Sequence, residues 1–512
     1  MRAAPAFIIA ASLLGSAVSA EPASDPAAAA RSWVTAHQRE IVSDLARLVA
    51  IPNVPSDSAS MRRNVETLRA MFQRRGFTVE IVETPGAPLV LAERKVPKAK
   101  RTLLLYAHYD GQPVDPAGWA QPSPFMPVLR EGRLEDGARE IARFDTLSSF
   151  MPEWRLYARS ASDDKGPIVA LCAALDALAA SRSAPTSNLR VLLDGEEESG
   201  SRGLLAVLPG LREKLRSDLM LFFDGPAHPS GRPTIAYGVR GVVTVDLTVY
   251  GPKTELHSGH YGNWVPNPAS RLAALLASMK DDQGRVRVPG FYDGIAPLTA
   301  AEEAMLRAVP DDTTSLLRQF GIAGPDRVGA TLQHAIQLPS LNVRGLSSAD
   351  VGANARTIIP DHATAAIDIR LVRETRAADM VEKLRAHVRA QGFHVVTEEP
   401  DDVVRASHRD IVRLVASRGT EGYRTDPLSP DSKRVATSLT RAHGAPPVEI
   451  RTMGGTLPIA PIAGLLEVPA IVIPTVNFDN HQHSDKENLR LGHLFQSVAT
   501  LAALLTMEEK KQ

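Results

Sequence analysis

Five groups of acidic and imidazole side chains have the residue types that bind divalent metal ions. They are His108 with Asp110, Asp163 with Asp164, Glu196 to Glu198, Asp224, and His483 in the segment HQHSDKENL. Zn²⁺ and similar cations bind imidazole nitrogens and carboxylate oxygens. Because Cys172 is the one cysteine of the sequence, thiolate zinc clusters, iron–sulfur sites and intrachain disulfides are excluded. Any metal must therefore be held by histidines and carboxylates.

Each group also has a simpler interpretation on its own. A histidine after a strand is commonly a hydrogen-bonded loop residue, and a run such as Glu196 to Glu198 is commonly a solvated helix start. Asp163 and Asp164 precede a predicted helix, where carboxylates complement the helix dipole. The coincidence of five groups favours a shared site, because the carboxyl ends of strands in an open α/β sheet meet in one crevice. Such a set suits one or two divalent ions, with a spare Glu acting as general base.

The predicted elements around these groups alternate between strand and helix. Apolar runs predict strands at Phe77–Val82, Leu89–Ala92, Thr102–Ala107, Leu189–Leu193 and Leu219–Phe223, and helical periodicity predicts helices at about 32–50, 60–75, 165–181 and 202–216. This order is typical of a sheet with helical crossovers. Residues 130–156 are predicted to be an extra loop in this part of the chain.

The pattern changes near Gly238. From there the sequence predicts an alternating strand at Val243–Val249, a helix at about 268–280, strands at Ser340–Arg344 and Thr364–Val372, a helix at about 376–390 and a strand at Phe393–Thr397. The order β-α-β-β-α-β predicts a small ferredoxin-like α+β domain with one open sheet face. Residues 284–335 are predicted to be an insertion in this domain, with a capping box at Thr299 and Glu302.

Beyond residue 405 the α/β pattern returns. We predict helices near 408–418 and 432–443, a strand at Ala470–Pro474 and a last helix at 492–506. The fold class is therefore predicted as α/β, with a mixed central sheet flanked by helices and built from residues 31–237 and 399–512. The α+β domain at 238–398 interrupts it as a lid. Its exposed sheet edge and face predict a homodimer through the lid.

Composition and the first residues set limits on partners and compartment. Lys plus Arg and Asp plus Glu both number 58, so the electrostatic attraction that drives general nucleic-acid or polybasic membrane binding is missing. Arg2, the apolar run Ala6–Leu14 and the small residues before Glu21 predict a signal peptide at residues 1–20. We therefore expect a secreted or periplasmic protein without a membrane span after cleavage.

Nine motifs are distributed over nearly the whole chain that follows the predicted signal peptide. They are YAHYDGQPVD (106–115), SASDDKGP (160–167), DGEEESGS (194–201), LFFDGP (221–226), LHSGHYGN (256–263), RTIIP (356–360), IDIRLV (367–372), TMGGTLPI (452–459) and HQHSDKENL (481–489). In this order they resemble the di-zinc metallopeptidases that include carnosinase-type dipeptidases, glutamate carboxypeptidase, aminoacylase and succinyl-diaminopimelate desuccinylase. The resemblance implies a zinc-peptidase-like catalytic domain and two divalent ions, zinc or alternatively manganese or cobalt.

The resemblance also assigns the ligands. One zinc would be bound by His108 and Asp224 and the other by Glu198 and His483, with Asp163 bridging the two. By spacing, His481 is a rival to His483, and the distance to Ser484 and Glu487 favours His483.

Catalytic roles follow from the same motifs. The resemblance makes Glu197 the general base, leaves Glu196 outside the pair, and gives Asp110 the task of orienting the ring of His108. Members with Asp at the position of Asp224 tend to be dipeptidases or aminopeptidases. One departure lies next to the bridging residue, since Ser160 stands where the family usually has Gly.

Four further residues match substrate-contacting positions of the family. They are His257, which in dimeric members reaches the partner's active site and stabilises the oxyanion, Arg370, which binds the substrate carboxylate, and Thr357 and Gly455. From the residues alone, Arg370 projects from the polar face of its strand, and a surface ion pair with Asp368 is the alternative. An exposed loop histidine is the alternative for His257.

The function predicted from these residues is hydrolysis of dipeptides or short peptides with a free C-terminal carboxylate. A first alternative keeps the same site but cleaves N-acyl amino acids, as aminoacylases do. A second alternative is an exported protein that binds peptides without turnover, which the presence of a base beside the metal ligands argues against.

Overall fold

The computed structural model describes residues 25–508, so the predicted signal peptide at 1–20 lies outside the described residues. Eight strands form a mixed central sheet. In spatial order they are Thr78–Val82, Leu89–Arg94, Asn188–Asp194, Thr102–His108, Leu219–Phe222, Ala470–Val472, Thr234–Ala236 and Val448–Ile450. Helices cover the sheet at Pro26–Val49, Ser58–Gln73, Lys165–Ala180, Arg202–Leu215, Pro430–His443, Ile459–Leu466 and Leu491–Leu505. The predicted α/β class is confirmed.

The strand Thr102–His108 shows why the strands of this sheet have continuous runs of apolar residues in the sequence. Leu103 and Leu105 belong to the core under the helix Lys165–Ala180, whereas Leu104 and Tyr106 belong to the core under the helix Arg202–Leu215. Both faces of a parallel strand are buried in such a sheet, so apolar residues occupy successive positions. This packing fixes the carboxyl end of the strand, where His108 lies.

A second, five-stranded sheet forms the lid. Its strands in spatial order are Ser340–Ser347, His362–Leu371, Gly241–Tyr250, Ile411–Ala416 and His394–Val396. The helices Pro268–Met279 and Ala377–Ala390 pack against one face through the lid core. Burial alternates along His362–Leu371, so the other face is open as predicted. Two smaller pairs join Leu256–His257 to Ile358–Ile359 and Gly238–Val239 to Tyr423–Arg424.

The predicted helix at 408–418 is wrong. Ile411–Ala416 form a strand that pairs antiparallel with Gly241–Tyr250, and the lid therefore extends past the predicted boundary at residue 398. A six-residue apolar run does not distinguish helix from strand by periodicity, and here the β-branched Ile411, Val412 and Val415 favour a strand. Short helices at Ser258–Tyr261 and Asp402–Ser407 complete this region.

The two predicted insertions both contain ordered elements. Within the predicted loop at 130–156 the structure has a strand, Arg155–Tyr157, which lies between Val128–Arg130 and Asn488–Arg490 in a three-stranded sheet. The lid insertion contains the helices Ala300–Ala308, Thr313–Phe320 and Leu332–Ala335, and its predicted capping box at Thr299 and Glu302 is confirmed. Between residues 25 and 508, no helix combines the length and apolarity that crossing a membrane requires.

Candidate metal centre

The metal centre is built at one edge of the central sheet. His108 ends the strand Thr102–His108, which runs parallel to Asn188–Asp194 and Leu219–Phe222. Parallel strands end at the same edge, so the loops that carry Glu197, Glu198 and Asp224 begin beside His108. Asp163 reaches the same place from the loop that precedes the helix Lys165–Ala180.

The first ligand group consists of His108, Asp163 and Asp224, which are all buried. His108 Nε2 lies 2.9 Å from Asp163 Oδ1 and 3.8 Å from Asp224 Oδ2. One ligand atom from each residue lies within 4.8 Å of the others, which is the spacing of donors around one ion. This is the set that the resemblance assigns to one zinc.

The second ligand group consists of Asp163, Glu198 and His483. His483 Nε2 lies 3.0 Å from Asp163 Oδ2 and 3.3 Å from Glu198 Oε2. The two groups share Asp163, and its two oxygens face different histidines. Asp163 is therefore the residue that the two candidate ligand groups have in common.

Asp110 connects the ligand histidine to the acidic pair. Its Oδ1 lies 3.2 Å from His108 Nδ1 and accepts a hydrogen bond from the backbone N–H of Glu197, while Oδ2 accepts one from the N–H of Glu198. The predicted orienting contact to His108 is thus present, together with two backbone contacts that the motifs do not reveal. One fully buried carboxylate fixes both sides of the site.

Charges in the centre are crowded. Burial raises the pKa of Asp224 to about 7 and that of Glu197 well above its usual value. Burial would lower the pKa of His108, but its hydrogen bonds to Asp110 and Asp163 raise it well above the ordinary value. Hydrogen bonds to Asp163 and Glu198 raise the pKa of His483 to about 10. Carboxylates this close need compensating positive charge, and the oxygen and imidazole donors fit a pair of divalent cations.

Two neighbouring candidates point elsewhere. Glu196 Oε2 accepts a hydrogen bond from the backbone N–H of Gly203, so this carboxylate holds the loop rather than facing the ligands. His481 Nε2 lies 3.1 Å from Glu135 Oε1 in the 130–156 insertion. Of the two histidines in the segment, His483 is therefore the one that contacts Asp163 and Glu198.

The four predicted substrate residues form two separate pairs. His257 and Thr357 lie side by side on the lid, where the backbone N–H of Ser258 donates to the carbonyl of Thr357. Arg370 donates from Nη1 to Thr456 Oγ1 at 3.0 Å, next to Gly455. The same segment approaches the metal centre through Met453, which packs against Gly225 beside Asp224. The segment that carries Gly455 thus contacts both Arg370 and the residue that follows Asp224.

Three polar residues at the site were missing from the sequence prediction. Gln112 Nε2 donates to Glu198 Oε2 at 2.8 Å, and Gln482 Nε2 donates to Asp163 Oδ2 at 3.2 Å. Arg240 is buried beside Arg370, and its backbone N–H donates to the carbonyls of Met453 and Gly455. The only signal for the two amides is their sequence position next to predicted ligands.

Comparison with known proteins agrees with this geometry. A model of the peptidase family M20/M25/M40 matches residues 104–507. The chain belongs to this family. It is therefore a metal-dependent hydrolase, and the resemblance drawn from the nine motifs is confirmed.

Relatives of this M20/M25/M40 peptidase cover nearly its whole length. The Cys-Gly metallodipeptidase dug1 of Schizosaccharomyces pombe is 26% identical over 481 residues, covering 90% of this chain and 93% of that protein. The human Beta-Ala-His dipeptidase is 25% identical, with 92% and 90% covered. The crystal structure of an M20 family metallo-carboxypeptidase from Sulfolobus solfataricus is 26% identical, with a TM-score of 0.74, and covers 91% of this chain and 99% of its own.

Proposed function

We propose that this protein is a di-metal peptidase that hydrolyses dipeptides or short peptides carrying a free C-terminal carboxylate. The observation that carries the proposal is the pair of ligand groups sharing Asp163, with Glu197 next to the ligand Glu198. The relatives named Cys-Gly metallodipeptidase and Beta-Ala-His dipeptidase favour a dipeptide substrate.

The residues around the centre have separate tasks in such a reaction. Bound divalent ions would polarise the scissile carbonyl and make a water molecule easier to deprotonate. Glu197 takes the proton from the water and returns it to the leaving amine, and its raised pKa suits a group that must both accept and donate. Asp110 holds the Glu197 backbone in place through its hydrogen bond to the N–H.

Specificity for a carboxylate is supported by the positive charge behind Gly455. Arg240 Nη2 donates to Ser340 Oγ at 2.8 Å, and Ser340 pairs with Arg370 across the lid sheet, so the two arginines are neighbours. Burial, together with Arg370, lowers the pKa of Arg240 to about 10. Asp368 lies 3.5 Å from Arg370 Nε, as the surface ion-pair interpretation expects, but Arg370 also reaches Thr456 in the segment beside the metal centre. A terminal carboxylate would pair with the exposed side of Arg370.

Dimerisation and export belong to the same proposal. His257 is exposed, and its hydrogen bond and ring contact are to Gly259 and His260 on the lid. We infer that it completes the site of a partner subunit in a homodimer.

We also infer export through the signal peptide at residues 1–20. Sequencing the amino terminus of exported protein checks this, and cleavage after Ala20 is the expected result.

Substrate selectivity decides the reaction class. We expect enzyme loaded with Zn²⁺ or Mn²⁺ to hydrolyse simple dipeptides faster than their C-terminal amides and faster than N-acetyl amino acids. A preference for N-acetyl amino acids would replace the proposal with the aminoacylase-like alternative. Binding of dipeptides without any cleavage in fully metallated protein would favour the peptide-binding alternative.

A further inference from the structure

A fully buried carboxylate outside the two ligand groups holds the loop that carries Asp163. Glu487 lies four residues after His483, and none of its surface is exposed. Its side chain reaches back to the segment 159–163. One residue thus connects the loop of His483 to the loop of Asp163.

The contacts of Glu487 are all to donors. Oε2 accepts hydrogen bonds from Arg159 Nη1 at 2.6 Å and from the backbone N–H of Ser160 at 3.0 Å. Oε1 accepts from the N–H of Ser162 at 3.2 Å, from its hydroxyl at 3.1 Å, and from the N–H of Asp163 at 3.1 Å. Five donors converge on one carboxylate, which is the arrangement that an ionised carboxylate satisfies.

The segment held in this way has an unfavourable backbone. Ser160 has a φ of 61°, in the left-handed region that glycine adopts more readily than serine. Its N–H donates to Glu487, and its hydroxyl accepts from Asn53 Nδ2 at 2.9 Å and donates to the carbonyl of Asp110 at 3.5 Å. Without Glu487 this turn would relax, and Asp163 is only three residues further along.

We propose that Glu487 is a positioning residue that sets where Asp163 stands between the two ligand groups. The inference rests on the proposed metal centre and adds a residue to it that binds no metal itself. Because Asp163 belongs to both groups, a shift of its backbone changes the ligand geometry for both ions at once. Loss of such supporting contacts typically weakens metal binding by about 10- to 100-fold.

The test compares metal affinity with folding stability. Glu487→Gln keeps the size of the side chain but turns an NH₂ group toward N–H donors. We expect the dissociation constant for Zn²⁺, measured by competition with a chromophoric chelator, to rise about 10- to 100-fold. We also expect a changed visible spectrum of the Co²⁺-loaded protein. Asp176→Asn is the matched control. Asp176 lies on the helix Lys165–Ala180, which follows Asp163, and this change weakens its ion pair with the buried Arg75 more than three helical turns away from Asp163.

The outcomes separate this role from the others. Equal stability loss in the metal-free forms of both variants, with weaker zinc binding only in Glu487→Gln, supports the proposal. Unchanged zinc affinity and cobalt spectrum in folded Glu487→Gln overturns it while leaving the metal centre intact. Wild-type protein that binds no divalent metal overturns the metal centre and this role together.

A milder variant covers the case in which Glu487→Gln does not fold. Ser162→Ala removes one of the five donors and leaves the carboxylate in place. We expect its zinc affinity to fall about threefold, as for the loss of one hydrogen bond. No change in affinity in this variant would then overturn the proposal.

Discussion

Asp110 shows how one buried carboxylate can organise several functional groups. It contacts the ring of the ligand His108 and the backbone of both Glu197 and Glu198. The position of the base therefore depends on the same side chain that orients a ligand. Asp110 contacts the candidate ligands His108 and Glu198 whether or not residue 197 is a glutamate. Changing the side chain of Glu197 alone should therefore leave metal binding in place.

Glu197→Gln tests the assignment of the base. The amide cannot accept a proton, so we expect turnover of a dipeptide to fall by about 10²- to 10⁴-fold. Metal content, measured by elemental analysis, should stay at the wild-type value because Glu197 is in neither ligand group. Near-normal turnover in this variant would show that another group removes the proton.

Residue types explain which parts of the site were predictable. His108 and Asp224 each come directly after an apolar run that predicts a strand, so a local pattern identified them before the fold was known. Gln482 has no such pattern, because its contact with Asp163 joins positions far apart in the chain. A residue type as common as glutamine can be assigned to the site only when the structure shows which distant residue it contacts.

At the scale of elements, local signals were also the reliable ones. The capping box of the helix Ala300–Ala308 needs only Thr299 and Glu302 and is present as predicted. The strand Ile411–Ala416 depends on pairing with Gly241–Tyr250, and the sequence around it could not reveal that partner. Long-range pairing, rather than propensity, decided its structure.

Glu302 joins the lid insertion to the α/β domain and offers a graded test. Its Oε2 accepts from the Thr299 N–H, and its Oε1 accepts from Arg451 Nε at 2.8 Å. Although burial raises the pKa of Glu302, these hydrogen bonds lower it to about 2. Glu302→Ala loses both the cap and the ion pair, whereas Glu302→Gln can keep the cap, which is typically worth about 1 kcal/mol.

Hydrogen exchange of the amides in 300–308 measures the difference. We expect faster exchange in both variants, with the larger increase in Glu302→Ala. Arg307→Gln is the control, because Arg307 forms only an exposed ion pair with Glu303 at 3.4 Å and its loss should change little. Equal exchange in all three variants would mean that the insertion is held by other contacts.

The last helix, Leu491–Leu505, predicts a dependence of stability on pH. Burial, together with Arg490, lowers the pKa of His493 to about 4, below its ordinary value of 6.5. The folded protein therefore keeps this imidazole neutral, while the unfolded chain protonates it below about pH 6.5. The contribution of His493 to the free energy of unfolding is therefore fully present above that pH. It is lost as the pH falls toward 4, and about 2 kcal/mol of it is gone at pH 5.

Replacing the imidazole removes this titration. Between pH 7.5 and pH 5, the free energy of unfolding of metal-free wild-type protein should fall by about 2 kcal/mol more than that of metal-free His493→Gln. Chemical denaturation of both proteins in the presence of a chelator gives the two differences, so that titration of the metal centre cancels. Parallel losses in both proteins would show that His493 is already protonated in the folded state.

At the scale of the whole molecule, the candidate substrate residues are divided between two surfaces. Arg370 and Gly455 belong to the region where the lid contacts the segment 453–456, but His257 and Thr357 lie exposed on the lid. Trp264, in the same lid region, exposes 80% of its surface. Tyr261, three residues earlier, exposes 41% of its surface, and neighbouring exposed apolar side chains commonly mark a surface that another protein covers. A second copy of the chain, bringing its His257 to this metal centre, would account for both facts.

Mixing two inactive variants tests this arrangement directly. Glu197→Gln and His257→Ala should each abolish most dipeptide hydrolysis, because each removes one of the groups that every site needs. In a mixed dimer, the subunit with His257→Ala keeps its own Glu197 and receives His257 from the partner subunit, so one of its two sites is complete. With random assembly about half of the dimers are mixed, and the co-refolded mixture should recover about one quarter of wild-type activity. If His257 acts in its own chain, no site in the mixture contains both groups, and the activity stays at the level of the separate variants.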